Sequence, residues 1–234
     1  MKVYAISDLH LSLSGEKPMD IFGAKWEGYL DRIKDDWQNK VKENDVVLIA
    51  GDISWAMKLE NALLDIDFIA KLNGIKILIR GNHDYWWQGI TKIREKLPKN
   101  IYALQNDSIK IGNYVFCGSR GWAVEGSPDY NEQDYKIYHR EVERFKLALN
   151  SAVKLKGEED KLICLIHYPP FNVRKEDSLF TKLFEQFNVD KVVYGHLHGN
   201  DVKTYPVLNK NGVEYILTSC DQTQNKLIEV YDDE

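Results

Sequence analysis

The aliphatic runs of this chain keep ending in groups that are costly to bury. AISDLH leads to Asp8 and His10, LIRGNHD to Asn82, His83 and Asp84, LICLIHYPP to His167, and VVYGHLHG to His196 and His198. A fifth run, VVLIAGD, ends in Asp52. One histidine beyond a strand is ordinarily a hydrogen-bonded structural residue. Five strand ends of this kind form a pattern, because ligands of α/β sheets bind outside the carboxyl ends of the strands. The residues that would meet on such a rim are Asp8, His10, Asp52, Asn82, His167, His196 and His198: two carboxylates, one amide oxygen and four imidazoles, with no cysteine. Nitrogen combined with hard oxygen suits Mn²⁺, Fe or Zn²⁺ rather than copper(I) or iron–sulfur chemistry, and manganese is the first choice. Seven protein ligands are too many for one tetrahedral zinc and fit two adjacent ions that share a carboxylate.

Local spacing is consistent with this. Asp8 and His10 are two residues apart, as are His196 and His198, and in extended chain such a pair points to one side. Gly51, Gly81 and Gly195 each precede a candidate ligand. An ordinary strand-ending turn explains a glycine there as well as a crowded site does.

The elements needed to hold this rim are visible in the pattern. Strands are predicted at 3–6, 46–50, 75–79, 108–111, 114–118, 162–166, 191–194, 214–219 and 227–231. Most are continuous apolar runs, as strands covered on both faces should be. Three stripes have helical spacing: Trp26, Tyr29, Leu30, Ile33 and Trp37; Leu59, Ala62, Leu63, Ile66 and Ala70; Tyr138, Val142, Phe145, Leu149 and Ala152. Each reads as the core-facing side of a helix. Gly112-Asn113 and the NKNG of Asn209–Gly212 signal hairpins. The stretch 118–131 is the most loop-like. A βαβ-like first half followed by antiparallel additions predicts a layered α/β fold with a mixed sheet or two sheets.

The 234 residues are expected to form one domain over 1–234. A net charge of -5 argues against a nucleic-acid partner gripped through a broad basic face. Cys117, Cys164 and Cys220 are odd in number and without a CxxC pair, so they read as reduced core thiols of a cytoplasmic protein. No secretory signal is visible, and no apolar run approaches the ~18 residues of a membrane span. The acidic tail, Asp232 to Glu234, is expected to fray.

DLH (Asp8–His10), GD (Gly51-Asp52), GNHD (Gly81–Asp84), a strand-end His167 and GHLH (Gly195–His198) together resemble the calcineurin-like metallophosphoesterases. The resemblance covers most of the chain, in the family's order. It implies a four-layer αββα sandwich of two mixed β-sheets flanked by helices, with two metals at the strand ends. It further implies that Asp8, His10 and His198 hold one metal, that Asn82, His167 and His196 hold the other, and that Asp52 bridges them. His83 would stay off the metals and face the substrate, while Asp84 would fix its loop by hydrogen bonding. One departure stands out. The protein-phosphatase branch reads GDxxDRG where this chain reads GDISWAM, so Trp55 and Ala56 replace an acid and an arginine. Arg80 and Arg120 are candidates for the missing cation, and Trp122, in the GSRGW loop, for a substrate contact.

The expected reaction is hydrolysis of a small phosphomonoester or phosphodiester, a nucleotide included. A hydroxide bridging the two ions would attack phosphorus in line, and His83 would act as general acid on the leaving oxygen. The alternatives are a nuclease and a non-catalytic metal-binding scaffold of the same fold. The compact acidic chain speaks against the first, and the complete ligand set with His83 against the second.

Overall fold

In a computed structural model of the chain, which describes every residue except 16, 18, 24, 25, 200, 201, 203, 205 and 234, the predicted runs become two sheets. The first half alternates strand and helix: β1 (Lys2–Ile6), α1 (Tyr29–Lys40), β2 (Val46–Ile49), α2 (Leu59–Ala70), β3 (Ile75–Leu78), α3 (Ile90–Arg94) and β4 (Ile101–Ala103). Strands β1 to β4 pair in parallel. The last strand of the chain, β11 (Ile228–Asp232), closes this sheet antiparallel to β1, giving the order β11-β1-β2-β3-β4.

The second sheet comprises β5 (Asp107–Ile111), β6 (Tyr114–Ser119), β7 (Lys161–Ile166), β8 (Lys191–Tyr194), β9 (Val207–Lys210) and β10 (Val213–Leu217). Its order is β5-β6-β7-β8-β10-β9. Both edges are antiparallel hairpins, turned by Gly112-Asn113 and by Asn211-Gly212. Its helices are α4 (Asp134–Leu155) and α5 (Leu179–Gln186).

The strands read as continuous apolar runs because both of their faces are covered. Val3, Ala5, Val46, Leu48 and Ile77 meet Phe116, Ile163, Leu165, Val193 and Ile216 between the sheets. On the outer side of the first sheet, Val47, Ile49 and Leu78 pack on Ile33, Trp37, Ala62 and Ile66. On the outer side of the second, Val115, Cys164 and Val192 pack on Val142, Phe145, Leu149 and Phe184. The result is the four-layer αββα sandwich. No helix among the described residues is long and apolar enough to cross a membrane.

The sequence reading differs from the structure at several points. The helix predicted from Trp26 begins at Tyr29, because Gly28 is left-handed (φ 58°) and breaks the turn. The short β4 and β9, and helices α3 and α5, have no counterpart among the predicted elements. Gly118 ends the predicted strand as expected, and Ser119 also belongs to β6 rather than to the loop beyond it. The tail is held as far as Asp233: Asp232 ends β11, and Asp233 accepts a hydrogen bond from the Tyr114 hydroxyl. Glu234 lies outside the described residues. The three cysteines are buried and free, with Cys117 and Cys164 3.3 Å apart across β6 and β7.

Candidate metal centre

The carboxyl ends of β1, β2, β3, β7 and β8 gather all seven candidate ligands. Donor atoms of Asp8, His10, Asp52 and His198 lie within 4.8 Å of one another. Beside them, Asn82 Oδ1 is 2.7 Å from His167 Nε2 and 2.9 Å from His196 Nδ1. Asp52 stands between the two groups: its Oδ2 is 3.8 Å from His10 Nε2 and 3.5 Å from His167 Nε2. Asp8, Asp52 and His167 are wholly buried and His10 nearly so, whereas His198 is exposed.

The paired candidate ligands do not lie in extended chain. Asp8, His10, Asp52 and His196 all have left-handed backbones, with φ of 56°, 47°, 51° and 70°. Their loops are bound to one another instead of running on as strands: Asp8 N–H donates to Gly51 O, His10 N–H to Asp52 O and Leu11 N–H to Ile53 O, at 2.9–3.0 Å. Left-handed non-glycine residues cost energy and cluster where a site over-determines the backbone. The glycines prove to be more than turn residues. A Cβ on Gly81 would collide with the Asp52 carboxylate and backbone N, and one on Gly195 would lie 2.6 Å from Asp8 Oδ2.

Several polar atoms here have no protein partner. Both ring nitrogens of His10 and the Asp52 Oδ2 are buried without a hydrogen bond. His167 Nδ1 is 2.9 Å from the Ala50 carbonyl, which can only accept, so the proton sits on Nδ1. In the neutral ring, Nε2 then turns a lone pair toward the oxygens of Asn82 and Asp52. Burial alone would push the His167 imidazole down. The nearby Asp52 carboxylate, with Asp8 and the Ala50 carbonyl, outweighs burial and raises it to about 9. The electrostatics therefore call for a cation at Nε2. Burial pushes His10 and His196 down to about 3, which keeps their rings neutral, the form in which imidazole binds a metal. Buried carboxylates that face lone-pair donors in this way fit divalent cations.

The surrounding residues have separable tasks. Asp84 fixes its loop, as expected: Oδ1 accepts from Ile53 N–H, Ser54 N–H and Trp86 Nε1, and Oδ2 from Gly81 N–H, at 2.7–3.1 Å. The His83 N–H donates to Asp52 Oδ1 (2.8 Å), and its ring packs 4.6 Å from that of Trp55. Trp55 also stacks on His10, with ring centres 4.7 Å apart. The aromatic that replaces the expected acid thus positions His83 by packing.

Of the two arginines, Arg120 is engaged elsewhere. Its guanidinium is 3.7 Å from the buried Glu141 and 4.6 Å from the Trp122 ring centre. Arg80 is half-buried, and its Nε has no partner. Trp122 donates to Asp134 Oδ1 (2.9 Å) and lines a small cavity with Asp129, Tyr168 and His196. Ser7 and Asp129 also touch candidate ligands. Ser7 Oγ donates to Asp8 Oδ2 (2.6 Å), and Asp129 Oδ2 is 3.5 Å from His196 Nε2. Ser7, directly before DLH, could have been suspected from its position. Asp129 sits in an irregular loop that carries no signal.

Among solved structures the chain is similar to TT1561 of Thermus thermophilus, with a TM-score of 0.60 and 11% identity over 97% of this chain and 96% of that one. It is also similar to the protein of unknown function AQ665 from Aquifex aeolicus, with a TM-score of 0.52 and 17% identity over 97% and 95% of the two chains. At such identities the likeness is one of fold. No curated protein matches the chain. A family model described as calcineurin-like phosphoesterase matches residues 1–200, a span that holds every candidate ligand from Asp8 to His198, and the chain belongs to that family.

Proposed function

We propose that this protein hydrolyses small phosphate esters with two divalent cations. Asp8, His10 and His198 would hold one, Asn82, His167 and His196 the other, and Asp52 both. The observation that carries this reading is the Asp52 carboxylate. Its unpartnered Oδ2 stands between His10 Nε2 and His167 Nε2, while Oδ1 holds the His83 backbone. One carboxylate thus ties both ligand groups to the residue that would serve as acid. When bound, the cations would lower the pKa of water and neutralise the phosphate oxygens.

The chain supplies the rest. Trp55 and the Asp52–His83 hydrogen bond hold the imidazole against the cluster. The ring nitrogen opposite the buried Nδ1, His83 Nε2, would give its proton to the departing ester oxygen. Water gives one proton to solvent and the resulting hydroxide oxygen bonds to phosphorus, the P–O ester bond breaks with its electron pair on the leaving oxygen, that oxygen takes the His83 proton, and His83 regains a proton from solvent. Manganese is the favoured metal and the cytoplasm the favoured compartment, in keeping with free, buried thiols.

The test joins metal analysis to turnover. Wild-type protein should hold about two ions per chain by the shared-carboxylate geometry and release phosphate or alcohol from a panel of mono- and diesters with Mn²⁺. His83→Asn should keep the metal and lose roughly 10²–10⁴-fold in turnover. Full metal content without hydrolysis of any ester would overturn the reading.

A further inference from the structure

Beside the ligand cluster lies a cavity of about 500 Å³, within the size range of small-ligand pockets. His196 and His198 form part of its wall, so it opens directly onto the candidate metal centre. The rest is mostly apolar, with Tyr168, Pro169, Phe171, Leu197 and Val202 among the lining residues. Asp129, the single carboxylate among the described lining residues, sits at the cluster end beside His196.

Lys175 is the one lysine or arginine among the described lining residues, and it touches Phe171 and Thr204 rather than a candidate ligand. Its Nζ lies 4.6 Å from the Phe171 ring centre and donates to Thr204 Oγ1 at 2.9 Å. An ammonium has three donors, and no described carboxylate pairs with this one. The neighbouring charges, Arg174 and Glu176, pair with each other at 3.5 Å. Burial also pushes the Lys175 ammonium below its ordinary value. The backbone is unusual as well. Of the ten described non-glycine residues with positive φ, four are candidate ligands and five are Asn or Gln; Lys175, at 60°, is the tenth. A long side chain held in the left-handed region, with its charge half-desolvated over an aromatic face, has the character of a ligand clamp.

We propose that this cavity receives the organic part of the ester, and that Lys175 binds a second anionic group on it. The preferred substrate is then a phosphate ester with an apolar body and an anion at its other end. This rests on the phosphoesterase reading above and adds the substrate class to it.

Two matched probes test the proposal: biphenyl-4-yl phosphate and its 4′-carboxy analogue, which differ only in the distal carboxylate. Metal-loaded wild-type protein should show a KM about tenfold or more lower for the carboxy analogue, as a charged hydrogen bond in a dry pocket provides. Lys175→Met should bring that ratio close to one, and Lys175→Arg should restore most of it. Equal KM values in the wild type, or a preference that survives Lys175→Met, would overturn the proposal. Quenching of tryptophan fluorescence by the carboxy analogue separates this from failure of the chemistry. If neither probe is hydrolysed, binding alone decides the cavity assignment, and the phosphoesterase reading is judged on the ester panel above. Tighter binding of the carboxy analogue to the wild type than to Lys175→Met would still sustain the cavity assignment, and equal binding would end it.

Discussion

Val46 and Leu48 face the space between the sheets, and four residues beyond Leu48 the same chain places Asp52 on the rim. Between the sheets the buried cluster is apolar and the parallel strands keep a steady register. On the rim the backbone turns left-handed at four ligands, buried polar atoms lack partners, and glycines stand where a Cβ would strike a carboxylate. The two regions share strands but obey different constraints. The interior gains stability by burying apolar area, roughly 25 cal/mol per Å². The rim keeps conformations that packing alone would not choose. The core is thus the support that lets the rim stay strained, and variants of each region should fail in different ways.

The largest effect should come from Asp52→Asn. It removes the carboxylate common to both ligand groups, so metal content and turnover should fall by more than the ~10–100-fold that an outer-shell partner is worth. Metal removal should separate the two proteins further. A ligand present at ~100 times its Kd stabilises a fold by about 2.7 kcal/mol. Chelation should therefore lower the melting temperature of wild-type protein and leave that of Asp52→Asn nearly unchanged. Equal sensitivity to chelator in both would show that the bound ions owe nothing to this carboxylate.

Ile163→Ala makes the opposite cut. Ile163 is fully buried between the sheets and touches no candidate ligand. We expect about 2–5 kcal/mol of lost stability in urea denaturation, from lost transfer energy and a residual cavity. Turnover per folded molecule and metal content should hold. A loss of metal binding larger than the unfolded fraction accounts for would mean that the two regions are not separable. Gly81→Ala lies between these cases, because its new methyl must displace Asp52. It should cost about 1–3 kcal/mol as overpacking. Unlike Ile163→Ala, it should also weaken the metal-dependent rise in melting temperature.

The same division explains what can be read in the sequence. Runs such as Val46–Ile49 are legible because a strand covered on both faces has no polar position to interrupt it. The clustering of the candidate ligands is legible because carboxylate, amide and imidazole groups at five strand ends have few other uses. Their backbone is not legible. Period-two spacing suggests extended chain at Asp8 and His10, but hydrogen bonds from these residues to Gly51 and Asp52 curl the segment instead. Such contacts join loops more than 40 residues apart, beyond the reach of local pattern. Helix α5 escapes the pattern for a different reason. It is short, and its capping box uses Thr181 where the usual signature has Glu or Gln. Asp129 and Lys175 lie in irregular loops, where residue type alone carries no position.

Lys76 offers the smallest and most specific test, because it places a charge between the first sheet and α2, beside an otherwise apolar cluster. It is fully buried on β3, and its Nζ donates to the Leu72 and Ala70 carbonyls just past α2. Burial pushes its ammonium down to about 8 from an ordinary 10.5. The folded state therefore holds this proton less tightly than the unfolded state. Below pH 8 both states are protonated and the full penalty applies. Between about pH 8 and 10.5 the unfolded chain binds more protons, so stability should rise with pH at close to 1.4 kcal/mol per unit. Tyr4, Tyr29, Tyr114 and Tyr194 are raised above 10 by burial, and they oppose this trend only once unfolded tyrosines ionise. The clean window is pH 8 to 10. Across it, the stability of wild-type protein relative to Lys76→Met, measured by urea denaturation, should climb by about 1–2 kcal/mol. A flat difference would mean that the two carbonyls hold the ammonium as well as water does, and that the core tolerates this one charge without cost.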